Sequence, residues 1–138
     1  MADEDLTLTI AAAATYGFDA PQEAITAACA TVSEATGQVI QPAVYEVSVR
    51  SVDAALTLPK WPVLDVLRVR YFDGNGAEHD GDPADYYRTL DGGKTVLRAK
   101  PRRMWPNGAD RDDAITVTYR AGYDELPPGL RAMVANLL

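Results

Sequence analysis

The sequence contains few of the residues from which catalytic sites are usually built. Among its 138 residues there is one cysteine, Cys29, and one histidine, His79. A single cysteine excludes an intrachain disulfide and a cluster of thiolate ligands, and its alanine-rich surroundings favour core packing over reactivity. Because the two residues lie in unlike contexts, neither a Ser-His-Asp nor a Cys-His arrangement is supported. Any catalysis would have to depend on Asp, Glu, Lys or Tyr.

Basic residues and long apolar runs are also scarce. The chain has 13 Lys and Arg against 20 Asp and Glu, which gives a net charge of -7. General affinity for nucleic acid is therefore not expected, because phosphate binding needs a surplus of positive charge on one face. No apolar run approaches the roughly 20 residues of a membrane span, and the acidic start MADED is unlike the basic start of a signal peptide. We expect synthesis in the cytoplasm and no membrane partner.

The rest of the composition is that of a folded globular protein. With 47% hydrophobic and 24% charged residues, a chain of this length fits a single domain over residues 1–138. Helical spacing predicts helices near 20–36 and 127–138, and an alanine-rich stretch at 6–16 fits either a third helix or an extended segment. Between about 39 and 121 the apolar period falls to two. We therefore predict an α+β fold, in which a small helical core carries a β-rich insertion of antiparallel strands and hairpins.

Local signals refine this prediction at three places. Asp19 is predicted to cap the helix at 20–36, and Asp91-Gly92-Gly93 to form the turn of a hairpin. In the strand that follows Pro62, alternate residues are predicted to face the core, namely Leu67, Val69 and Tyr71. The residues between them, Arg68 and Arg70, would form an exposed basic face, which is a candidate contact with an acidic neighbouring subunit.

The loop around His79 offers the ligand types of a metal site. Carboxylates from Asp80, Asp82 and Asp85 lie near the histidine in sequence. A small metal-dependent hydrolase that uses His79, Asp80 and Asp82 is therefore an alternative from a catalytic class. Acidic clusters in loops rich in glycine and proline are more often solvated, so we expect no metal and no cofactor. Gly93-Lys94-Thr95 ends like a phosphate-binding loop, but Arg88 stands where that motif needs glycine.

A basic aromatic segment, Lys100 to Trp105, is the other unusual feature. In a chain that is acidic overall, we interpret it as a loop that meets an acidic neighbour, such as another copy of the same chain. Acidic loops at 78–85 and 110–113 would supply the opposite charge, as contacts between unlike faces of successive subunits require. The candidate inter-subunit residues are Arg68, Arg70, Arg102, Arg103 and Trp105.

The order of motifs resembles the head-tail connector, or adaptor, proteins of long-tailed bacteriophages and gene transfer agents. The resemblance runs from residue 23 to residue 134 and begins with Glu34-Ala-Thr36-Gly37 at a helix end. It continues with Leu58-Pro59-x-x-Pro62-Val63-x-x-Val66 and Tyr71-x-Asp73-x-x-Gly76. Trp105-Pro106, Val117-x-Tyr119-x-Ala121-Gly122-Tyr123 and a proline at 127 or 128 complete it.

The resemblance implies a structural role without catalysis. Such proteins form a ring, usually of twelve copies, beneath the portal protein in the virion neck, and DNA passes through the channel without sequence-specific binding. The ring also gives a docking surface to a stopper or tail-completion protein. The helical part would span 1–37 and 124–138 and the β-rich insertion 38–123. Another neck protein, such as a stopper, is the alternative within the structural class.

In the proteins that this sequence resembles, the C-terminal helix or tail commonly reaches the portal. Its apolar stripe is therefore the expected contact with the portal or with a neighbouring subunit. The residues of the stripe are Leu130, Met133, Val134, Leu137 and Leu138.

Overall fold

The computed structural model describes residues 14–106 and 109–138 of the chain. The helices are α1 (Gln22–Thr36) and α2 (Pro128–Asn136), and a 3-10 turn covers Pro83–Asp85. The strands are β1 (Ala43–Val49), β2 (Ala55–Thr57), β3 (Val63–Phe72), β4 (Glu78–Gly81), β5 (Tyr86–Asp91), β6 (Lys94–Ala99) and β7 (Ile115–Ala121). The predicted α+β class is confirmed, since all strand pairs are antiparallel. Within the described ranges no helix is long and apolar enough to cross a membrane.

Three predictions about helices have different outcomes. The segment at 6–16 lies outside the described residues except for its last three positions, which are not helical. Asp19 was the wrong capping residue, because Pro21 occupies the N-cap of α1 in an extended conformation and no side chain caps the helix. Gly37 ends α1 as expected: its φ of 74° is left-handed, and its N–H donates to the Ser33 carbonyl at 2.9 Å.

A four-stranded sheet in the order β1-β7-β3-β4 gives the molecule two distinct ends. At one end Ala121, the last residue of β7, pairs with the first residues of both β1 and β3. At the other end Ile115, the first residue of β7, pairs with Val49 and Tyr71. We call these the helical end and the far end, because both helices lie beside the first. Seven residues of strand separate the two ends by about 20 Å.

The phase of β3 differs from the predicted one. Register shifts interrupt its pairing with β7 between Val63 and Asp65 and again between Val66 and Arg68. Each bulge moves the following side chains to the opposite face. Val66 therefore packs against the core in the place predicted for Leu67, whereas Val69 is fully buried as expected.

A second sheet in the order β2-β6-β5 covers part of the first. The predicted hairpin is confirmed, and Gly92 and Gly93, with φ of 61° and 82°, turn the chain between β5 and β6. Leu56 and Leu97 from this sheet share one core with Val69 and Tyr119 of the four-stranded sheet. The short strand β4 lies in the segment that was predicted to be a polar loop. It was not predicted because its sequence, EHDG, shows no apolar alternation.

A separate apolar cluster holds the two helices to the helical end. One face of α1 is buried there, with Ile25, Ala28, Cys29 and Val32 at 5% exposure or less. Ile40, Leu126 and Val134 complete the cluster. The Tyr16 hydroxyl lies 2.7 Å from the carbonyl oxygens of Ile40 and Tyr123, and burial raises the pKa of this phenol. The single-domain assignment over residues 1–138 stays a prediction.

Candidate assembly surfaces

The C-terminal stripe is divided between the core and the surface. Val134 is fully buried and Leu130 packs at the edge of the helical cluster, so Val134 was wrongly predicted to face a partner. Met133, Leu137 and Leu138 are 40%, 53% and 44% exposed, which is high for large apolar side chains. These three residues are the part of the stripe that can meet another protein.

The predicted basic face of β3 is mostly neutralised within the chain. Arg68 Nε lies 2.8 Å from Asp80 Oδ1, and the guanidinium lowers the pKa of that carboxyl group. Arg70 lies between Glu46, at 2.7 Å, and Glu78, at 3.9 Å. Both arginine side chains are less than one quarter exposed. The expectation of an exposed basic face was therefore wrong, although a role for Arg68 and Arg70 between subunits stays a prediction.

The same compensation extends along the outer face of the four-stranded sheet. Arg120 bridges Asp65, at 2.9 Å, and Asp124, at 3.3 Å. Arg50 contacts Asp110 and Asp112, and the hydrogen bond that Arg50 donates to Asp112 is the main cause of its raised pKa. Such exposed pairs contribute little to stability, because water screens their charges. Their main consequence is that the carboxylates of the 110–113 loop already have partners in their own chain.

The basic aromatic segment lies at the far end and is also divided. Trp105 is 8% exposed and its ring centre lies 4.6 Å from that of Tyr86, so its predicted place between subunits was wrong. Arg103 pairs with Asp85 at 3.3 Å. Arg102 and Lys100, by contrast, form no ion pair with the described residues.

Met104 is an exposed apolar residue that the sequence pattern did not single out. Its side chain is 84% exposed, the highest value among the large hydrophobic side chains that the structure describes. Two clefts of about 590 and 580 Å³ lie beside it and share Met104, Trp105 and Pro106 as walls. One cleft continues to the loop after β1 at Ser51–Ala54, and the other to the end of β3. In the sequence Met104 simply follows Lys-Pro-Arg-Arg. That position is a weak sign of a contact surface, because single methionines are common on protein surfaces.

The residues of the metal hypothesis take part in other interactions. His79 Nε2 lies 2.7 Å from Asp73 Oδ2, and its ring stacks on Tyr71. Asp80 contacts Arg68, and Asp82 accepts a hydrogen bond from the Ala84 N–H at 2.9 Å. Within residues 14–106 and 109–138 no three His, Cys, Asp or Glu side chains are grouped so that they could hold a metal ion.

No protein-family model matches the sequence, and no curated protein matches it significantly. The fold does match solved structures of gene transfer agent particles. A chain in the neck of an empty particle, computed with C6 symmetry, gives a TM-score of 0.61 at 22% identity over 83% of this chain. A chain in the neck of a native particle, computed with C12 symmetry, gives 0.57 at 20% identity over 83%. A chain of the native virion gives 0.59 at 16% identity over 99%.

At these identities the likeness establishes a shared fold. This chain spans 60% of the first of those chains, 66% of the second and 75% of the third.

Proposed function

We propose that the protein is a structural component of the neck of a phage-like or gene transfer agent particle, located between the portal and the tail. The observation that carries the proposal is the backbone match, over 83% of the chain, to chains of two neck structures computed with ring symmetry. Within the neck, the order of motifs favours the adaptor position. The protein would form a ring beneath the portal, extend the DNA channel and offer the stopper or tail a docking surface.

The surface of the chain supports a structural role. The residues of the metal hypothesis take part in other contacts: His79 contacts Asp73, Asp80 pairs with Arg68, and Asp82 accepts a hydrogen bond from the Ala84 N–H. Met104 is exposed at the far end, and Met133, Leu137 and Leu138 are exposed at the helical end; such large apolar side chains suit contacts with other proteins. The net charge of -7 would keep DNA mobile in a channel formed by such subunits.

Cryo-electron microscopy of assembled particles from the producing cells tests this proposal. We expect density for this fold in a ring that touches the portal protein. A ring that touches only other neck proteins would assign the chain to the stopper or tail-completion position. Absence of the chain from purified particles, with an antibody against the chain as the detector, would contradict the proposal altogether.

A further inference from the structure

The loop at the far end and the helices at the other end have complementary surfaces. We call residues 100–106 the far-end loop, and we call the surface of residues 14–41 and 122–138, which contain α1 and α2, the helical patch. We infer that the far-end loop of one copy docks on the helical patch of the next copy. This inference deepens the proposed function. The contact itself is argued from the surfaces of the chain, and only the closure of successive contacts into a ring rests on the proposed function.

Charge is the first observation that supports this contact. Residues 14–41 and 122–138 carry a single cation, Arg131, which is engaged with the Tyr16 carbonyl oxygen at 2.8 Å and with the ring of Phe18. Four carboxylates in the same two ranges form no ion pair with the described residues, namely Asp19, Glu23, Glu34 and Glu125. The far-end loop offers the opposite sign through Lys100 and Arg102. The acidic loops at 78–85 and 110–113 are weaker candidates, because most of their carboxylates already contact Arg50, Arg68, Arg103 and Arg111.

Apolar exposure is the second observation. Met104 projects from the far-end loop, and Met133, Leu137 and Leu138 are exposed on the helical patch. A contact that buries these side chains covers exposed hydrophobic surface of the far-end loop and of the helical patch at once. Long unbranched methionine side chains adapt to an irregular partner surface, which suits them to such a contact.

The backbone of the far-end loop is the third observation. The Arg103 N–H donates to the Lys100 carbonyl at 2.9 Å, with Pro101 and Arg102 between them. Arg102 has a φ of 68° in this turn, at the position where a turn of type II ordinarily has glycine. An arginine is strained in this left-handed conformation, whereas glycine is not. The strained conformation places the Arg102 cation at the tip of the turn.

The geometry makes this contact heterologous. The two surfaces lie at opposite ends of the four-stranded sheet, so one chain cannot join them to each other. Each copy therefore has one donor surface and one acceptor surface, and repetition of the contact yields a closed ring or an open chain of subunits.

Mixing variants of the purified protein tests the inference. Met104→Asp damages only the far-end loop, and Leu137→Asp damages only the helical patch. In sedimentation velocity up to millimolar concentration, we expect wild type to form dimers and longer species and each variant to associate at least about tenfold more weakly. An equimolar mixture should recover a dimer and no longer species, because one intact loop then meets one intact patch.

Leu90→Asp is the matched control: this residue is 73% exposed on the β5–β6 hairpin, and its substitution should leave assembly unchanged.

Arg102→Gly separates assembly from folding. Glycine fits the left-handed turn, so this variant should unfold at a higher urea concentration while it associates more weakly than wild type. A wild-type chain that stays monomeric, variants that assemble like wild type, or a mixture that does not recover the dimer would each overturn the inference. Particle microscopy reports separately on the proposed function: a neck ring with a different subunit contact would leave that function standing and remove this inference.

Discussion

Gly122 lies against Pro42 so closely that a side chain has no space between them. A Cβ atom placed on Gly122 would lie 2.7 Å from the Cα of Pro42, and the φ of the glycine is 130°. The contact joins the end of β7 to the start of β1, where the four-stranded sheet meets the helices. It gives a physical reason for the glycine in the Ala121-Gly122-Tyr123 motif, since both the close approach and the backbone conformation exclude other residues.

Gly122→Ala should therefore destabilise the protein. The added methyl group meets backbone atoms, which cannot move aside as a flexible side chain would, and alanine is strained at this φ. We expect a loss of about 2 to 4 kcal/mol in the free energy of unfolding, measured by urea titration. Gly129→Ala is the matched control, because nothing lies within 4 Å of the added methyl group in α2. Equal stability of the two variants would contradict the proposed steric cause.

Replacement of the buried Trp105 by phenylalanine should change stability less than is usual for a core aromatic residue. Its Nε1 atom is buried without a hydrogen-bond partner among the described residues, although the ring packs on Tyr86. Trp105→Phe removes a buried donor that costs about 1 to 3 kcal/mol and also removes apolar area, so we expect a net change within about 1 kcal/mol. Trp105→Ala should cost about 3 to 5 kcal/mol. If phenylalanine proves as damaging as alanine in urea titrations, the indole N–H has an acceptor after all.

Asp73 should make the β3–β4 hairpin sensitive to acid. Its carboxylate contacts His79 and accepts hydrogen bonds from the N–H groups of Asn75 and Ala77, and these contacts lower its pKa, with the His79 contact as the largest cause. A lowered pKa in the folded state means that the stabilisation is complete above the ordinary aspartate pKa and is lost as pH falls through the lowered value.

Asp73→Asn tests this dependence. The variant should be less stable than wild type at neutral pH, and the difference should shrink below about pH 4 as the wild-type carboxylate becomes protonated. Thermal unfolding at a series of pH values measures it. Glu125→Gln removes one negative charge from an exposed position and controls for net charge. A difference that is constant between pH 3 and pH 7 would rule out titration of Asp73 as the cause.

Much of the fold could be predicted because the apolar periods are regular. The apolar residues of α1 recur at helical spacing and form its buried face, and the period of two between about 39 and 121 corresponds to strands. Leu67 was misplaced because a bulge shifts the phase of a strand and leaves no mark in the apolar pattern. β4 was missed because its stability comes from pairing with β3 and from ion pairs, neither of which is visible in a short polar segment.

The candidate surfaces were harder to predict than the fold. Sequence shows which residues carry charge, but Arg68 and Arg70 find partners from strands that are distant in the chain. A basic pattern therefore predicted an exposed surface where the fold forms a neutral one. Trp105 and Met104 are adjacent in sequence and opposite in exposure, and only the path of the loop over Tyr86 decides which of them is buried.

Val134 and Leu137 belong to one apolar stripe, and their variants should separate core packing from assembly. Val134 is fully buried against α1, so Val134→Ala should lower the free energy of unfolding by about 1 to 3 kcal/mol. Leu137 is 53% exposed, so Leu137→Ala should change stability by less than about 0.5 kcal/mol.

The two variants should show the opposite order when assembly is measured. At a temperature where both are folded, Leu137→Ala should be incorporated into particles less efficiently than Val134→Ala, as measured by quantitative mass spectrometry of purified particles. The reason is that, of the two, only Leu137 has a side chain exposed enough to contact another protein. Loss of incorporation by Val134→Ala alone would show that the stripe acts only through the stability of the helical cluster.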